Sequence, residues 1–283
     1  MNLLFDGSTT LMPDPALTGQ MTFTSAQRLL VVAIGLQVAL ALPSLVALVL
    51  DDRLLNGISV WSKPLKFQAS LIVMLGTVLL LLPLIETTAR EGRGVWLACL
   101  VACITASGEI LYITLQAARG RASHFNAETP IEALAYGLMG FGAVLLVLSS
   151  LAIGLYILLR PAPDALPGLQ LGGAWGLILG SLLTLVTALA LGSGQIAGPG
   201  HWVGGVRTDA GGLFLLGWSR SGGDLRVPHF FATHIMQALP IAGLALDLLA
   251  PRLVVTGLLA ASALCVAVVA GTFTQAVAGR PFF

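Results

Sequence analysis

Residues 95–118, VWLACLVACITASGEILYITLQAA, form an apolar run whose single charged side chain is Glu109. A helix needs about 20 apolar residues to cross the hydrocarbon core of a bilayer, so this run is long enough to span a membrane. Six further apolar runs predict spans at about 27–50, 65–85, 130–159, 169–192, 228–249 and 253–276. The sequence therefore predicts an all-α fold: a single membrane domain over residues 1–283, built as a polytopic bundle of seven transmembrane helices after an N-terminal tail of residues 1–26.

The composition of the whole chain agrees with this fold class. Of its 283 residues, 57% are hydrophobic and 10% are charged, and the net charge is +1. Soluble proteins carry about 25% charged residues. The composition excludes a soluble enzyme, a disordered protein and a protein that binds nucleic acid through a basic face. The three cysteines lie inside apolar runs, which is typical of small buried hydrophobic residues rather than of a disulfide framework.

The polar residues are unequally divided between the two membrane faces. We call odd side the face that carries the C-terminus and the loops after the first, third and fifth spans, and even side the opposite face. The even loops are short and simple, with the sequences TTAREGRG, RPAPDALPG and APR. The odd side holds all four histidines of the chain, which are His124, His201, His229 and His234.

Polar stripes run along the helices that lead to the odd side. In the third span, the residues of one such stripe are three or four positions apart and share a helical face: Thr105, Glu109, Tyr112, Gln116 and Arg119. Glu109 is expected about 15 Å below the odd surface, at a rise of about 1.5 Å per residue. An ionised carboxylate at that depth is costly, so we expect Glu109 to face the interior of the bundle as a functional acid or, alternatively, in a helix-packing hydrogen bond. Similar stripes in other spans predict one polar cavity, open to the odd side and lined by spans two, three, four and six.

The candidate catalytic and metal-binding residues are the acids and imidazoles of this predicted cavity. Carboxylates and imidazoles transfer protons, which makes Glu109, His124 and Asp224 the candidate catalytic groups. Imidazole nitrogens also bind transition metals and haem iron, so His124, His229 and His234 are the candidate metal ligands. Thr129 and Glu132 form a capping box at the start of the fourth span.

Basic residues concentrated at the odd side favour an anionic partner, because they bind phosphate and carboxylate groups. Haem, with its two propionates, and a lipid or isoprenoid phosphate both suit this charge, and the sequence leaves the choice open. The candidate substrate-binding residues are Lys63, Lys66, Arg119, Arg121, Asn126, Arg226 and Gln237.

Three functions are compatible with this pattern. The first is a membrane-embedded enzyme or redox protein with a histidine-liganded metal or haem, acting on an anionic or lipid-like substrate. The second is an ion-coupled transporter of a small anionic solute, because Glu109 is buried and Pro240 is expected to kink the sixth span. The third is a non-catalytic membrane assembly subunit, and no protein partner is assigned.

Three motifs resemble those of a group of bacterial polytopic membrane proteins: WSKPLKF at 61–67, RGRASHFN at 119–126 and GDLRVPHFFATH at 223–234. The resemblance implies a bacterial membrane protein and carries no reaction with it. The span count is also similar to that of alkaline ceramidase and adiponectin-receptor zinc hydrolases. The histidine spacing H-x-x-x-x-H of His229 and His234 departs from H-x-x-x-H in that group, so no zinc ligand is transferred.

The expected location is a bacterial plasma membrane, crossed several times. The first 25 residues contain no Lys or Arg, which argues against a signal peptide. Odd-side segments hold nine Lys and Arg residues and even-side segments hold five. The positive-inside rule then places the odd loops and the candidate site in the cytoplasm and the N-terminus outside.

Overall fold

The computed structural model describes residues 23–196, 198 and 200–283. Seven long helices make up the fold: α1 (Ser25–Leu50), α2 (Ser62–Leu81), α3 (Arg93–Ala118), α4 (Pro130–Leu159), α5 (Pro167–Gly192), α6 (Arg226–Leu249) and α7 (Val254–Val277). Within these described residues, seven helical stretches are long and apolar enough to cross a membrane, which confirms the all-α bundle and the seven predicted spans. Most of the predicted N-terminal tail, residues 1–22, lies outside the described residues.

Short polar sequences fix where two of these helices begin. Thr24 and Gln27 form a reciprocal capping box at the start of α1, in which each side chain accepts a hydrogen bond from the backbone N–H of the other. At the start of α4, Thr129 Oγ1 accepts a hydrogen bond from the Glu132 backbone N–H. The predicted N-cap is therefore confirmed for Thr129, but the reciprocal half of the capping box is not formed, because the Glu132 carboxylate binds Arg121 and the Thr129 hydroxyl instead of the Thr129 backbone N–H.

The helices pack around one another in an order that leaves α2 to α6 surrounding the bundle interior. Helix α1 packs against α2 and α3, and each later helix packs against its neighbour in sequence. Helix α2 also contacts α3 and α6, which closes the ring. The three cysteines are free, and Cys99 and Cys103 are buried in the apolar core, as expected for small hydrophobic residues.

Helices α5 and α6 make the closest helix–helix contact, along a glycine stripe of α5. A Cβ atom on Gly176 would lie 2.8 Å from Cδ of Pro240, and one on Gly180 would lie 2.7 Å from Cγ of Met236. No larger residue fits there without separating the helices, since small residues are what allow two membrane helices to approach closely. The stripe thus fixes the position of the α6 face that carries His229.

The loops meet at the two ends of the bundle as the odd and even assignment requires. At the even end, the Glu86 backbone N–H donates to the carbonyl of Arg160 over 2.8 Å. At the odd end, Arg53 Nη1 donates to the carbonyl of Ala118 over 3.0 Å. The loop after the first span is therefore in direct contact with the end of α3.

Two small hairpins cover the odd end. The first pairs β1 (Leu54–Leu55) with β2 (Ile58–Ser59) across a turn in which Asn56 and Gly57 have positive φ angles of 54° and 83°. The second pairs β3 (Trp202–Val203) with β4 (Gly223–Asp224). We call residues 200–225, which contain the second hairpin, the cap segment.

The cap segment is attached to the odd end by several hydrogen bonds. The Asp209 backbone N–H donates to the carbonyl of Asn56 over 2.9 Å, and Lys66 Nζ donates to the carbonyl of Leu216 over 3.2 Å. At Gly223 the backbone lies directly against the Ala276 backbone of α7, which leaves no room for a side chain. The cap segment thus bridges the first loop, α2 and α7.

Candidate functional site

Glu109 occupies the bundle interior between α3 and α4. Glu109 is 7% exposed, and its Oε1 atom is buried with no hydrogen-bond partner in the described part of the chain. A Cβ atom on Gly142 of α4 would lie 3.6 Å from Oε1, so the glycine leaves room for the carboxylate. The alternative role of Glu109, a helix-packing hydrogen bond, is therefore absent from the described structure.

Lys63 lies in the first turn of α2 and is close enough to Glu109 for an electrostatic interaction. Its Nζ atom is 5.8 Å from the centroid of the Phe67 ring, a cation–π contact. Among the described residues, its ammonium donates no hydrogen bond to a protein acceptor. The other basic residues of the predicted anion-binding set all donate one: Lys66, Arg119, Arg121 and Arg226.

His124 lies beside Lys63, in the loop between α3 and α4. Its ring is 5.4 Å from that of Phe67 and 6.0 Å from that of Tyr136, measured between centroids, and its Nδ1 is 3.1 Å from Ser123 Oγ. Burial, together with the nearby charge of Lys63, holds the pKa of His124 well below its usual range. The imidazole is therefore neutral at pH 7 and is able to accept a proton or bind a metal.

Arg121 and Asn126 serve mainly to order this loop. Arg121 Nη2 lies 2.8 Å from Glu128 Oε2 and 2.7 Å from Glu132 Oε2, and the Glu132 bond raises the pKa of Arg121. Asn126 donates to the carbonyl of Ala122 and accepts from the Glu128 backbone N–H. Protein groups thus occupy the polar atoms that the sequence assigned to an anionic substrate.

Arg119 is exposed and is bound to its own helix. Its Nη1 donates to Gln116 Oε1 over 2.8 Å. The amide nitrogen of Gln116 lies 3.2 Å from Tyr112 Oη and 3.2 Å from Glu132 Oε1. The polar stripe of α3 therefore faces α4 over this part of its length, as the spacing predicts.

Asp224 and Arg226 belong to a buried ion cluster where the cap segment meets the start of α6. Asp224 is 2% exposed and accepts hydrogen bonds from the Ser219 backbone N–H and from Arg226. Arg226 Nη2 also lies 2.8 Å from Asp209 Oδ1 and donates to the carbonyl of Gly217. This arrangement gives Asp224 a structural partner at each of its oxygens.

His201 completes the cluster. Its Nε2 is 3.3 Å from Asp209 Oδ1, and its ring stacks on that of Trp202 at 3.8 Å between centroids. Burial lowers the pKa of His201. Burial alone would raise the pKa of Asp209, but the hydrogen bond from His201 and the charge of Arg226 lower it below the usual range. Sequence analysis did not single out Asp209, because only the folded loop places it beside Arg226.

His229 and His234 lie together on α6, close enough to interact electrostatically. His229 Nδ1 is 3.2 Å from Thr187 Oγ1 of α5. His234 stacks on Phe230 at 4.1 Å between centroids, and its Nδ1 is buried without a partner in the described residues. Helix α5, which the sequence did not assign to the site, thus contributes a polar group.

Gln237 joins α6 to α2 through a side-chain hydrogen bond. Its Nε2 donates to Thr77 Oγ1 over 2.9 Å, while its Oε1 is buried without a partner in the described chain. The bond ties together the two helices that close the ring.

The predicted site residues fall into three places. Lys63, Glu109 and His124 interact electrostatically, His229 and His234 form a pair on α6, and Asp224 of the cap segment is paired with Arg226 at the start of α6. Among residues 23–196, 198 and 200–283, no group of three or more His, Cys, Asp or Glu side chains is arranged to hold a metal ion.

Comparison of the chain with known protein families, with curated proteins and with solved structures found no match.

Proposed function

We propose that this multi-pass membrane protein is a membrane-embedded enzyme or redox protein of a bacterial plasma membrane. In this proposal it binds an anionic, lipid-like molecule at the odd side and uses a histidine-bound metal or haem. The observation that carries the binding part is the group of Lys63, Glu109 and His124, in which a cation without a protein acceptor lies beside an unpartnered carboxylate and a neutral imidazole.

Lys63 supplies the attraction for the anion. A basic group that already bonds a protein acceptor has less to offer a ligand, and the other basic candidates are bonded in this way. A carboxylate or phosphate oxygen at Lys63 would gain a charge-assisted hydrogen bond, which is about twice as strong as a neutral one.

Glu109 and His124 supply groups that transfer protons. A carboxyl group and an imidazole on either side of a bound molecule are able to act as general acid and base. Glu109 lies nine residues before the end of α3 at Ala118, which places it about 13 Å below the odd end at about 1.5 Å per residue. Lys63 is at the start of α2. A molecule that contacts both would therefore have its charged group near the membrane surface and its remainder within the membrane.

The proposed orientation follows from charge. Nine of the fourteen Lys and Arg residues lie on the odd side, so the positive-inside rule favours a cytoplasmic site. Cysteine labelling in intact cells tests this, using single cysteines introduced at exposed positions of odd and even loops in a chain that lacks the native three.

Ligand binding tests the proposal directly. The full chain is placed in phosphatidylcholine nanodiscs and titrated with short-chain phosphatidic acid or with inorganic phosphate, while Tm is measured. We expect phosphatidic acid to raise Tm more than phosphate does, and Lys63→Gln to abolish the rise. The control is Arg160→Gln on the even side, which should keep it. An unchanged rise in Lys63→Gln would show that the anion binds elsewhere, and equal effects of the two probes would remove the lipid-like part of the proposal.

An ion-coupled transporter of a small anionic solute is the second candidate, favoured by the unpartnered Glu109 carboxylate within the membrane and by Pro240 inside α6. Proteoliposomes containing a pH-sensitive dye separate the two. Solute-dependent proton uptake that is lost in Glu109→Gln supports transport. Conversion of the added solute to a product without proton uptake supports the enzyme. A non-catalytic assembly subunit would show neither activity and would be recovered with a protein partner.

A further inference from the structure

The hydrogen bonds of Thr187 determine which nitrogen of His229 carries its proton. Thr187 Oγ1 lies 2.9 Å from the carbonyl of Leu183 and 3.1 Å from the carbonyl of Thr184, both in its own helix α5. A threonine hydroxyl has one hydrogen to donate, and it is used on these carbonyls. Toward His229 Nδ1, at 3.2 Å, the oxygen is therefore an acceptor. These contacts assign the imidazole hydrogen to Nδ1, which leaves Nε2 with a lone pair.

This lone pair is held in place and is not used within the protein. His229 Nε2 makes no hydrogen bond to any described residue. The backbone of the same residue is fixed by Thr233, whose Oγ1 donates to the His229 carbonyl over 2.9 Å, and Thr184 Oγ1 in turn donates to Thr233 over 3.3 Å. Threonines of both α5 and α6 thus hold the imidazole in place.

A second imidazole lies nearby. His234 interacts electrostatically with His229, and its Nδ1 is buried with no partner in the described chain. Its ring is stacked against Phe230. A buried nitrogen without a hydrogen-bond partner lowers the stability of the fold, and a ligand that binds the nitrogen removes this cost.

We infer that His229 binds a transition-metal centre through Nε2, with Thr187 as the residue that positions it and His234 as the neighbouring second imidazole. This rests on the metal or haem part of the proposed function and names its ligand. Metal-bound histidines typically donate the other ring N–H to an oxygen acceptor, which fixes the tautomer and the orientation of the ring. Thr187 Oγ1 has that place here.

Two kinds of ligand contain a transition metal that accepts an imidazole lone pair: haem and a free metal ion. Haem would be held through the Nε2 of His229, with His234 lying nearby, and its iron would supply redox chemistry there. A free ion such as Zn²⁺ usually takes three or four protein ligands. His124, which packs against Phe67 and Tyr136, is not part of this centre.

Spectroscopic titration of the full chain in detergent tests the inference. One arm adds haemin and follows the Soret band, and the other adds Co²⁺ and follows its visible absorption. We expect one of them to bind, His229→Ala to abolish binding and His124→Ala to retain it. A signal in the first arm identifies haem, and a signal in the second alone identifies a free ion.

Variants of Thr187 give a second test, which does not depend on whether His229→Ala folds. Thr187→Val keeps the volume and removes the acceptor, and the loss of a supporting hydrogen bond of this kind weakens metal binding by about 10- to 100-fold. Thr187→Ser keeps the hydroxyl and should restore affinity. The matched control is Thr272→Val, because Thr272 bonds the carbonyls of Val268 and Val269 in the same way with no histidine partner. Equal affinity in Thr187→Val and wild type would overturn the positioning role.

The outcomes separate this inference from the proposed function. Binding that survives His229→Ala but is lost in His124→Ala would overturn the assignment of the ligand and keep the metal or haem. Failure of the wild-type protein to bind either probe would overturn both. The response of Tm to phosphatidic acid is measured separately and depends on Lys63.

Discussion

Arg226 Nη2 lies 2.8 Å from Asp209 Oδ1, which joins the first residue of α6 to the middle of the cap segment. Because Arg226 also binds Asp224, one guanidinium neutralises two buried carboxylates. The cap segment is therefore held to the bundle by charge as well as by backbone hydrogen bonds.

Replacing Asp209 should loosen the cap segment. Asp209→Ala removes an acceptor of both Arg226 and His201, and we expect it to lower the free energy of unfolding by about 1–3 kcal/mol, as for the loss of a partner from a buried polar group. Thermal unfolding in detergent measures this. Asp164→Asn, at an exposed position of an even loop, is the control and should leave Tm unchanged. Equal stability of the two variants would contradict the structural role of the cluster.

The contributions of His124 and His201 to stability should fall as the pH is lowered from 7 to 5. The pKa values of His124 and His201 are lowered in the folded protein, so below about pH 6.5 the unfolded chain binds protons that the folded chain does not. Each of these histidines then costs up to about 1.4 kcal/mol per pH unit until the lowered pKa is reached. Asp209, whose pKa is also lowered, loses its contribution only below its usual value near 3.8, outside this window.

The slope of unfolding free energy against pH checks this prediction. His124→Gln, which does not titrate, should have a shallower slope between pH 7 and 5 than the wild type. A parallel slope would show that His124 is already accessible to protons in the folded protein.

Larger residues in the glycine stripe of α5 should separate α5, which carries Thr187, from α6, which carries His229. Gly180→Ala places a methyl group against Met236 and Gly176→Ala places one against Pro240. Overpacking of this kind costs about 1–3 kcal/mol. Gly140→Ala in α4 has open space around the added carbon and is the matched control. Chemical unfolding in mixed micelles compares the three variants, and a Gly140→Ala effect as large as the others would attribute the loss to backbone changes instead.

The bond between Gln237 and Thr77 should couple α2 to α6. A double-mutant cycle with Gln237→Leu and Thr77→Val measures this coupling, and we expect about 0.6 kcal/mol, the average for such bonds between membrane helices. Additive effects of the two substitutions would show that the bond contributes nothing to holding the ring closed.

The sequence predicted the spans and one polar face because both depend on spacing along a single helix. Apolar run length sets the spans, and the interval between Glu109 and Gln116 places both on the side of α3 that faces α4. The grouping of the four histidines at one end also follows from counting spans.

The partners of individual side chains were not predictable in this way. Arg121 and Lys63 look equivalent as basic residues near the odd surface, but Arg121 meets Glu132 only because α4 returns beside α3. Thr187 follows Ser181 and Thr184 at intervals of three residues in an apolar run, but this spacing does not indicate that Thr187 contacts His229. Such roles depend on which helices become neighbours.

The contact of Gly223 with Ala276 has a consequence for biogenesis. The cap segment is synthesised before α6 and α7, yet its second hairpin rests against the end of the last helix. The cap segment therefore cannot adopt its final packing until α7 is in place. A variant that lacks α7 should therefore have a cap segment that is cut faster by added protease than the cap segment of the full chain.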